Sequence, residues 1–220
     1  MILGGGPAGA SAAETLRQSG FTGEIILLTA EKDLPYDRTL LTKAILKVEP
    51  EGLAIRKKDF YDNIDVQIKT GSYVESVDPA TKEVLVKGGE KIHYDKLLVA
   101  TGARANKLDA PGNELKGIVT IRDFTDVNKV REAVKGAKNI VIIGGGLIGS
   151  EAASNLKLDL KDQVNITILN RSKAPMTTHF GPEVGAALQK LAEDNGIIFK
   201  SGQVASFEGK VCLKSRKINS

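Results

Sequence analysis

The sequence has one cysteine, no tryptophan and two histidines. A single cysteine, Cys212, excludes an intramolecular disulfide, a cysteine-built zinc site and a CxxC redox centre. The expectation for Cys212 is a small buried residue in a strand. His93 has no carboxylate or cysteine beside it in sequence, so it reads as a surface strand residue. No metal site is expected. Aromatic residues make up 5% of the chain, and no stripe of Lys and Arg with interleaved aromatics occurs. The net charge of +4 is spread along the sequence, apart from a small cluster at Lys210, Lys214, Arg216 and Lys217. Nucleic-acid binding is therefore not expected. No apolar run approaches the roughly 20 residues needed to span a bilayer, and no signal or transit peptide is visible.

Hydrophobic content of 41% and charged content of 26% are ordinary for a globular protein. Glycine is abundant, and two glycine-rich stretches account for part of it. The second, Gly144-Gly145-Gly146-Leu147-Ile148-Gly149, comes after the apolar run Ile140-Val141-Ile142-Ile143 and precedes a run of helical character, Ser150 to Leu156. This is strand, glycine turn, helix. The first glycine allows the tight turn, the second lets a pyrophosphate approach the backbone, and the third lets helix and strand pack closely. The helix N-terminus offers free N–H groups and a positive dipole end to phosphates. One such motif is weak evidence, but Gly4-Gly5-Gly6-Pro7-Ala8-Gly9 repeats it 140 residues earlier. Two dinucleotide sites in tandem suggest electron passage from one dinucleotide to another.

Taken in order, residues 1–29 read as a βαβ unit. Its helix runs from Ala8 to Ser19 with Ala12, Ala13 and Leu16 inward, and its second strand is Glu24–Thr29. An acid about 20 residues past the glycines binds the adenosine ribose in such units, and Glu31 is the available one. Leu34 to Lys43 is either a polar surface loop leading to a short helix or a functional connection carrying the cations Arg38 and Lys43. Residues 53–102 read as short strands and turns, including a three-stranded antiparallel meander at Tyr73–Val77, Glu83–Val86 and Lys91–Tyr94. Asp95–Val99 reads as one more buried strand, and the small residues Ala100-Thr101-Gly102 after it let a ligand approach the backbone. Val119–Arg122 is expected as a short strand. Asp126–Lys135 is expected as a helix capped by Thr125 or Asp126. A second βαβ unit comes next, with Asn165–Leu169 as its second strand. A helix is expected over 183–195 with Val184, Ala187, Leu188 and Leu191 inside. Ile197–Phe199 reads as a parallel strand, and Gln203–Lys214 as the start of another meander.

This order resembles the pyridine nucleotide-disulfide oxidoreductases, flavoproteins with two dinucleotide-binding domains. Within them it is similar to the branch of ferredoxin reductases and apoptosis-inducing factor 3-like proteins. The residues that carry the likeness are Gly4–Gly9, Leu34-Pro35-Tyr36-Asp37-Arg38, Leu41-Thr42-Lys43, Ala100-Thr101-Gly102, Thr120-Ile121-Arg122 and Gly144–Gly149 with Ser150-Glu151. The resemblance implies an α/β fold of two Rossmann-like domains with parallel sheets and three-stranded meanders: an FAD-binding domain at 1–115 and an NAD(P)-binding domain at 116–220, each incomplete. It implies FAD at the first turn and NAD(P)H at the second. Gly4, Gly5, Gly6, Ala8 and Gly9 would hold the FAD pyrophosphate, with Glu31 near the ribose. Arg38, Lys43, Val74, Thr101, Gly102 and Arg122 would contact FAD. Gly144, Gly146, Leu147, Ile148 and Gly149 would hold NAD(P)H, with Asn170 and Arg171 at its ribose. Lys43 and Glu151 would pair beside the flavin ring and serve the chemistry. The alternative for Glu151 is an acid that merely favours its helix dipole.

The implied activity is FAD-dependent NAD(P)H oxidation, with electrons leaving to an iron–sulfur protein such as a ferredoxin or a Rieske domain. A homodimer of the full-length parent is compatible with it. Competing readings are a redox-sensing, death-signalling protein and a non-functional truncated fragment. Two departures bear on this. The CxxxxC of the disulfide-reducing relatives is missing, so transfer to a disulfide is not expected. The acid closing the second strand of the NAD(P) unit is replaced by Asn170-Arg171, which implies that NADPH is accepted. Only Met1-Ile2-Leu3 precedes the first glycines, so the chain reads as a piece of a longer protein that alone retains FAD weakly or not at all.

Overall fold

A computed structural model describes residues 1–209 and the backbone of 212–216. The side chain of Cys212 and the basic cluster around it lie outside the described residues. The chain forms two compact units. One comprises Met1–Arg38 and Glu49–Arg104, the other Thr39–Val48 and Ala105–Ser220.

The first unit is built on a four-stranded parallel sheet. Strands β1 (Ile2–Leu3), β2 (Ile25–Leu28) and β3 (Val66–Lys69) align side by side, and β7 (Leu98–Val99) flanks β1 on the other edge. Each βαβ crossover buries one sheet face under helices. Ile2, Ala13, Ile25, Leu27, Tyr61 and Val66 form that core, beneath helices α1 (Pro7–Gln18) and α3 (Lys58–Asn63). The opposite face packs Leu3 and Leu28 on Val84 and Val86. These come from the antiparallel meander β4 (Val74–Asp78), β5 (Glu83–Val86) and β6 (Lys91–His93). Helix α1 ends where Arg17 turns back. Its guanidinium donates to the carbonyls of Ile64 (2.8 Å), Phe21 (2.7 Å), Gly23 (2.7 Å) and Asp65 (2.6 Å). One side chain thus closes the turn into β2 and the turn into β3.

Three expectations fail here. Residues 58–63 are helical, because α3 must cover the sheet beside α1; the short helix α2 (Pro50–Leu53) precedes it. Leu16 is exposed, since Gly9, Ala10 and Ala13 form the buried stripe of α1. β7 is not a buried strand but a two-residue edge strand, with Leu98 and Val99 exposed.

In the second unit β8 (Asn139–Ile143), β9 (Asn165–Asn170) and β10 (Ile197–Ser201) form a parallel sheet with β9 in the middle. Helix α5 (Leu147–Leu160) crosses from β8 to β9 and buries Ala152, Ala153 and Leu156. Strands β11 (Gln203–Glu208) and β12 (Cys212–Arg216) form an antiparallel hairpin. Helix α4 (Phe124–Val134) begins two residues before the sequence-predicted start, and its cap is Asp123. The Asp123 carboxylate accepts from the Asp126 N–H at 2.9 Å. Asp126 in turn accepts from the Arg122 N–H at 3.0 Å. These two bonds hold Arg122 at the helix start, and 119–122 are irregular where a strand was expected. Arg131 of α4 donates to Ile45 O (2.8 Å) and to Val48 O, which ties the 39–48 segment to this unit.

Helix α6 (Thr177–Asp194) starts earlier than expected and breaks at Gly181 (φ 82°), immediately before Pro182. Its expected inner residues Val184 and Leu191 are exposed, because the helix docks through Gly185 instead. A Cβ at Gly185 would sit 2.8 Å from Pro175 O.

Candidate functional site

The two glycine turns have the same geometry. The Gly4 N–H donates to Leu28 O at 2.8 Å, and the Gly144 N–H to Leu169 O at 2.8 Å. A Cβ at Gly9 would lie 2.0 Å from Gly4 O and 3.3 Å from Ile2 Cγ2. A Cβ at Gly149 would lie 2.0 Å from Gly144 O and 3.3 Å from Ile142 Cγ2. Only glycine permits this approach of helix to strand.

Above each turn the helix N-terminus is uncapped. Gly6 and Gly146 occupy the cap positions of α1 and α5, neither helix has a side-chain cap, and neither carries an acid in its first turn. The space beside Gly6 is open to at least 4 Å. An uncapped, positive helix end fits a pyrophosphate at each turn, with open space beside Gly6 and the His179 ring 3.8 Å from the place a Cβ on Gly146 would take.

The other residues expected at the FAD site in the first unit are placed as follows. Glu31 accepts a 2.6 Å bond from the Tyr36 hydroxyl and is paired with Arg38. Arg38 also stands over the Tyr36 ring, 4.9 Å from its centroid. Val74 pairs with Val86 in the meander. Thr101 and Gly102 are exposed after β7, and Gly102 has φ 70°. Ala8 lies in the first turn of α1 and is exposed.

In the second unit, Leu147 and Ile148 are exposed at the start of α5. Glu151 lies one turn further on. It is brought together with Lys43, whose ammonium donates to Oε1 at 3.0 Å and Oε2 at 3.1 Å. The same ammonium donates to Thr39 O at 2.9 Å. Thr42, which sequence reasoning did not single out, donates its hydroxyl to Glu151 Oε2 at 2.6 Å. Thr42 is buried, and beyond its place beside Lys43 the sequence carried no signal for its role. The hydrogen bond from Thr42, with the bond and charge of Lys43, holds the Glu151 carboxyl below the usual carboxylate range, against the opposing effect of burial. Glu151 therefore does more than complement a helix dipole.

A lowered pKa means that the ionised form is favoured by folding. The resulting stability is present above the unfolded value and is lost as pH falls through the folded one. Thr42→Val keeps the shape and removes the hydroxyl. It is expected to raise the Glu151 titration toward the ordinary glutamate value and to cost about 1–2 kcal/mol at neutral pH. The cost shrinks on acidification. A carboxyl-carbon NMR titration, with denaturation at two pH values, checks both; an unmoved titration refutes the role given to Thr42.

Asn170 closes β9 beside the second turn. Its Oδ1 accepts the Gly145 N–H at 3.2 Å and its Nδ2 donates to Ala174 O at 3.3 Å. Arg171 is exposed and has no partner among the described residues.

A repeated strand–glycine turn–helix unit with two uncapped phosphate cradles defines a double dinucleotide-binding protein. Residues 1–216 match the pyridine nucleotide-disulphide oxidoreductase family, and the chain belongs to it. It is 37% identical over 225 residues to apoptosis-inducing factor 3 of Homo sapiens, covering 99% of this chain and 36% of that protein. It is 36% identical over 225 residues to the biphenyl dioxygenase system ferredoxin–NAD(+) reductase component of Paraburkholderia xenovorans, covering 99% of this chain and 54% of that one. The chain thus spans about a third to about half of these relatives. Its fold is similar to the ferredoxin reductase for the CYP199A2 system of Rhodopseudomonas palustris, with a TM-score of 0.87 and 28% identity over 94% of this chain and 51% of that one. Among the described residues no helix is long and apolar enough to cross a membrane.

Proposed function

We propose that this chain carries the coenzyme-binding portion of an FAD-dependent NAD(P)H oxidoreductase that delivers electrons to an iron–sulfur protein. The observation that carries the proposal is the repeated turn, with the same hydrogen bond and the same close approach at Gly4–Gly9 and Gly144–Gly149. Members of the family use FAD and NAD(P)H. The residues 1–115 would form the FAD domain and 116–220 the NAD(P) domain.

A bound FAD would supply hydride acceptance from a nicotinamide and one-electron release. The chain's own part is binding and electrostatics. The N–H groups at Gly6, Ala8 and Gly9 hold one pyrophosphate, and those at Gly146, Leu147 and Ile148 hold the other. Glu31 binds the FAD ribose, while Arg38, Val74, Thr101, Gly102 and Arg122 complete that site. Lys43 supplies positive charge, and Glu151 fixes its ammonium with help from Thr42. No side-chain nucleophile is required.

An iron–sulfur acceptor is supported by the names of relatives, among them the ferredoxin–NAD(+) reductase component and a putidaredoxin reductase solved in covalent complex with putidaredoxin. It is supported also by the single cysteine, which leaves no disulfide within the chain to accept the electron pair. The test is the visible spectrum of the purified chain after incubation with FAD and gel filtration, then after anaerobic addition of NADH or NADPH. A flavin band perturbed by the chain and largely lost on gel filtration is expected, because this chain alone retains FAD weakly, with bleaching on coenzyme addition in proportion to the flavin retained. A chain that binds neither FAD nor coenzyme refutes the proposal.

A further inference from the structure

We infer that Arg131 and Asp159 are positioning residues for hydride transfer, acting through segment 39–48 to hold Lys43 and Thr42 on Glu151. The inference rests on reading the Lys43–Glu151 pair as the electrostatic partner of the flavin.

Segment 39–48 brings little order of its own. Its backbone bonds are local turns. The Lys43 N–H donates to Leu40 O at 3.1 Å, and the N–H groups of Lys47 and Val48 share Ala44 O at 2.9 and 2.8 Å. Leu41 and Ile45 are buried and fix its depth against the second unit. Apolar burial is non-directional, so it does not decide where the segment lies along a helix. Directional contacts to two helices decide that.

On α5, Glu151 and Asp159 are eight residues apart, about 12 Å along the axis. On the segment, Lys43 and Lys47 are four residues apart, a reach of up to about 14 Å in an extended chain. Two ion pairs form in parallel order, Lys43 with Glu151 and Lys47 with Asp159. The Asp159 side chain is 11% exposed and that of Lys47 74% exposed, so the fixed end is the carboxylate on the helix. On α4, Arg131 donates to Ile45 O at 2.8 Å and to Val48 O. The guanidinium is itself held. It stands 5.4 Å from the centroid of the Phe124 ring, and its Nη1 donates to Asn128 Oδ1 at 3.4 Å. A planar fork on two carbonyls fixes both the place and the tilt of the turn that carries them. Sliding the segment by one residue would break the fork and both ion pairs together.

The consequence falls on Glu151. Its carboxylate accepts from two adjacent residues of the segment, Thr42 and Lys43. Hydrogen bonds weaken steeply with distance and angle, so a small displacement of the segment loosens all of them at once. Arg131 bonds the segment's backbone and Asp159 its Lys47, so substituting either tests placement rather than contact with Glu151.

Two measurements test this: a carboxyl-carbon NMR titration of Glu151 in the flavin-free chain, and anaerobic stopped-flow reduction with FAD in excess. Arg131→Met and Asp159→Asn remove opposite charges. Charge acting at a distance would raise the Glu151 titration in the first and lower it in the second. Loosening of the segment raises it toward the ordinary glutamate value in both, and that is the expected result. Flavin reduction is expected to slow about tenfold in each, since a misplacement of about 1 Å can cost a hundredfold. Arg131→Lys keeps the charge and part of the donation, and is expected to recover part of the rate. Glu132→Gln, which breaks an exposed pair with Lys135 on the same helix, is expected to change neither readout. Opposite shifts, or an unmoved Glu151 titration in both variants, overturn the inference. So does an unchanged reduction rate in both variants when Lys43→Met is slow. An unchanged rate in Lys43→Met as well overturns the inference together with the reading it rests on. Should Arg131→Met not fold, the sign of the shift in Asp159→Asn decides alone: upward supports the inference, downward overturns it.

Discussion

Replacing Gly4 by alanine is expected to destabilise the first unit by about 4 kcal/mol or more, enough to unfold it in many small domains. Gly4 has φ 120°, a region that side-chain-bearing residues avoid. A Cβ there would lie 2.1 Å from Ala100 O and 2.6 Å from Ala100 C. The clash is with backbone, and that backbone is held. The Ala100 N–H donates to Leu3 O at 2.8 Å, and the Gly4 N–H to Leu28 O at 2.8 Å. Relief would have to break the pairing of β1 with β2 or with β7. Gly6→Ala makes the contrast. With φ −88° and nothing within 4 Å, an alanine there is expected to change stability by less than about 0.5 kcal/mol. It would nevertheless place a methyl group where the pyrophosphate approaches, so FAD binding is expected to fall while the fold is kept. Urea denaturation with a flavin-binding titration checks both halves. A Gly4→Ala chain with an unchanged midpoint would show that the turn is not held as described.

Lys43→Met in the flavin-loaded protein is expected to slow flavin reduction by coenzyme on the order of a hundredfold, the scale seen when a preorganised charge-stabilising donor is removed. Two effects act in the same direction. The cation proposed to meet developing negative charge is lost, and Glu151 loses the partner that donates to both of its oxygens. Coenzyme affinity is expected to change little, because the proposed anchor of its pyrophosphate is the second turn. Adding Glu151→Gln to Lys43→Met removes the bared carboxylate, so it is expected to restore part of the rate. Anaerobic stopped-flow at the flavin band separates rate from affinity. A Lys43→Met rate within twofold of the parent would take the pair out of the chemistry.

The sequence itself determined the local part of this protein. Glycine spacing, the flanking apolar strands and the helical runs after them specify each strand–turn–helix, because those signals act over a few residues through backbone freedom and period. The alternation at 73–94 specified the antiparallel meander in the same way. Even the pairing of Lys43 with Glu151 was accessible through resemblance.

Tertiary structure decided what depends on distant neighbours. The helix at Lys58–Asn63 has a weak local pattern and forms because Tyr61 fills the sheet face beside Ala13. Thr42 became part of the Glu151 site only when the chain brought residues 109 apart in sequence within a 2.6 Å hydrogen bond. The apolar stripe of α6 pointed to the wrong face, since periodicity reports amphipathicity but not which element is available to cover it. Asn170 carries the same lesson: its residue type excluded a charged ribose ligand, but only folding committed its amide to the Gly145 N–H and the Ala174 carbonyl. Hydrogen-bond partners and burial are properties of the packed chain, and no short stretch of sequence contains them.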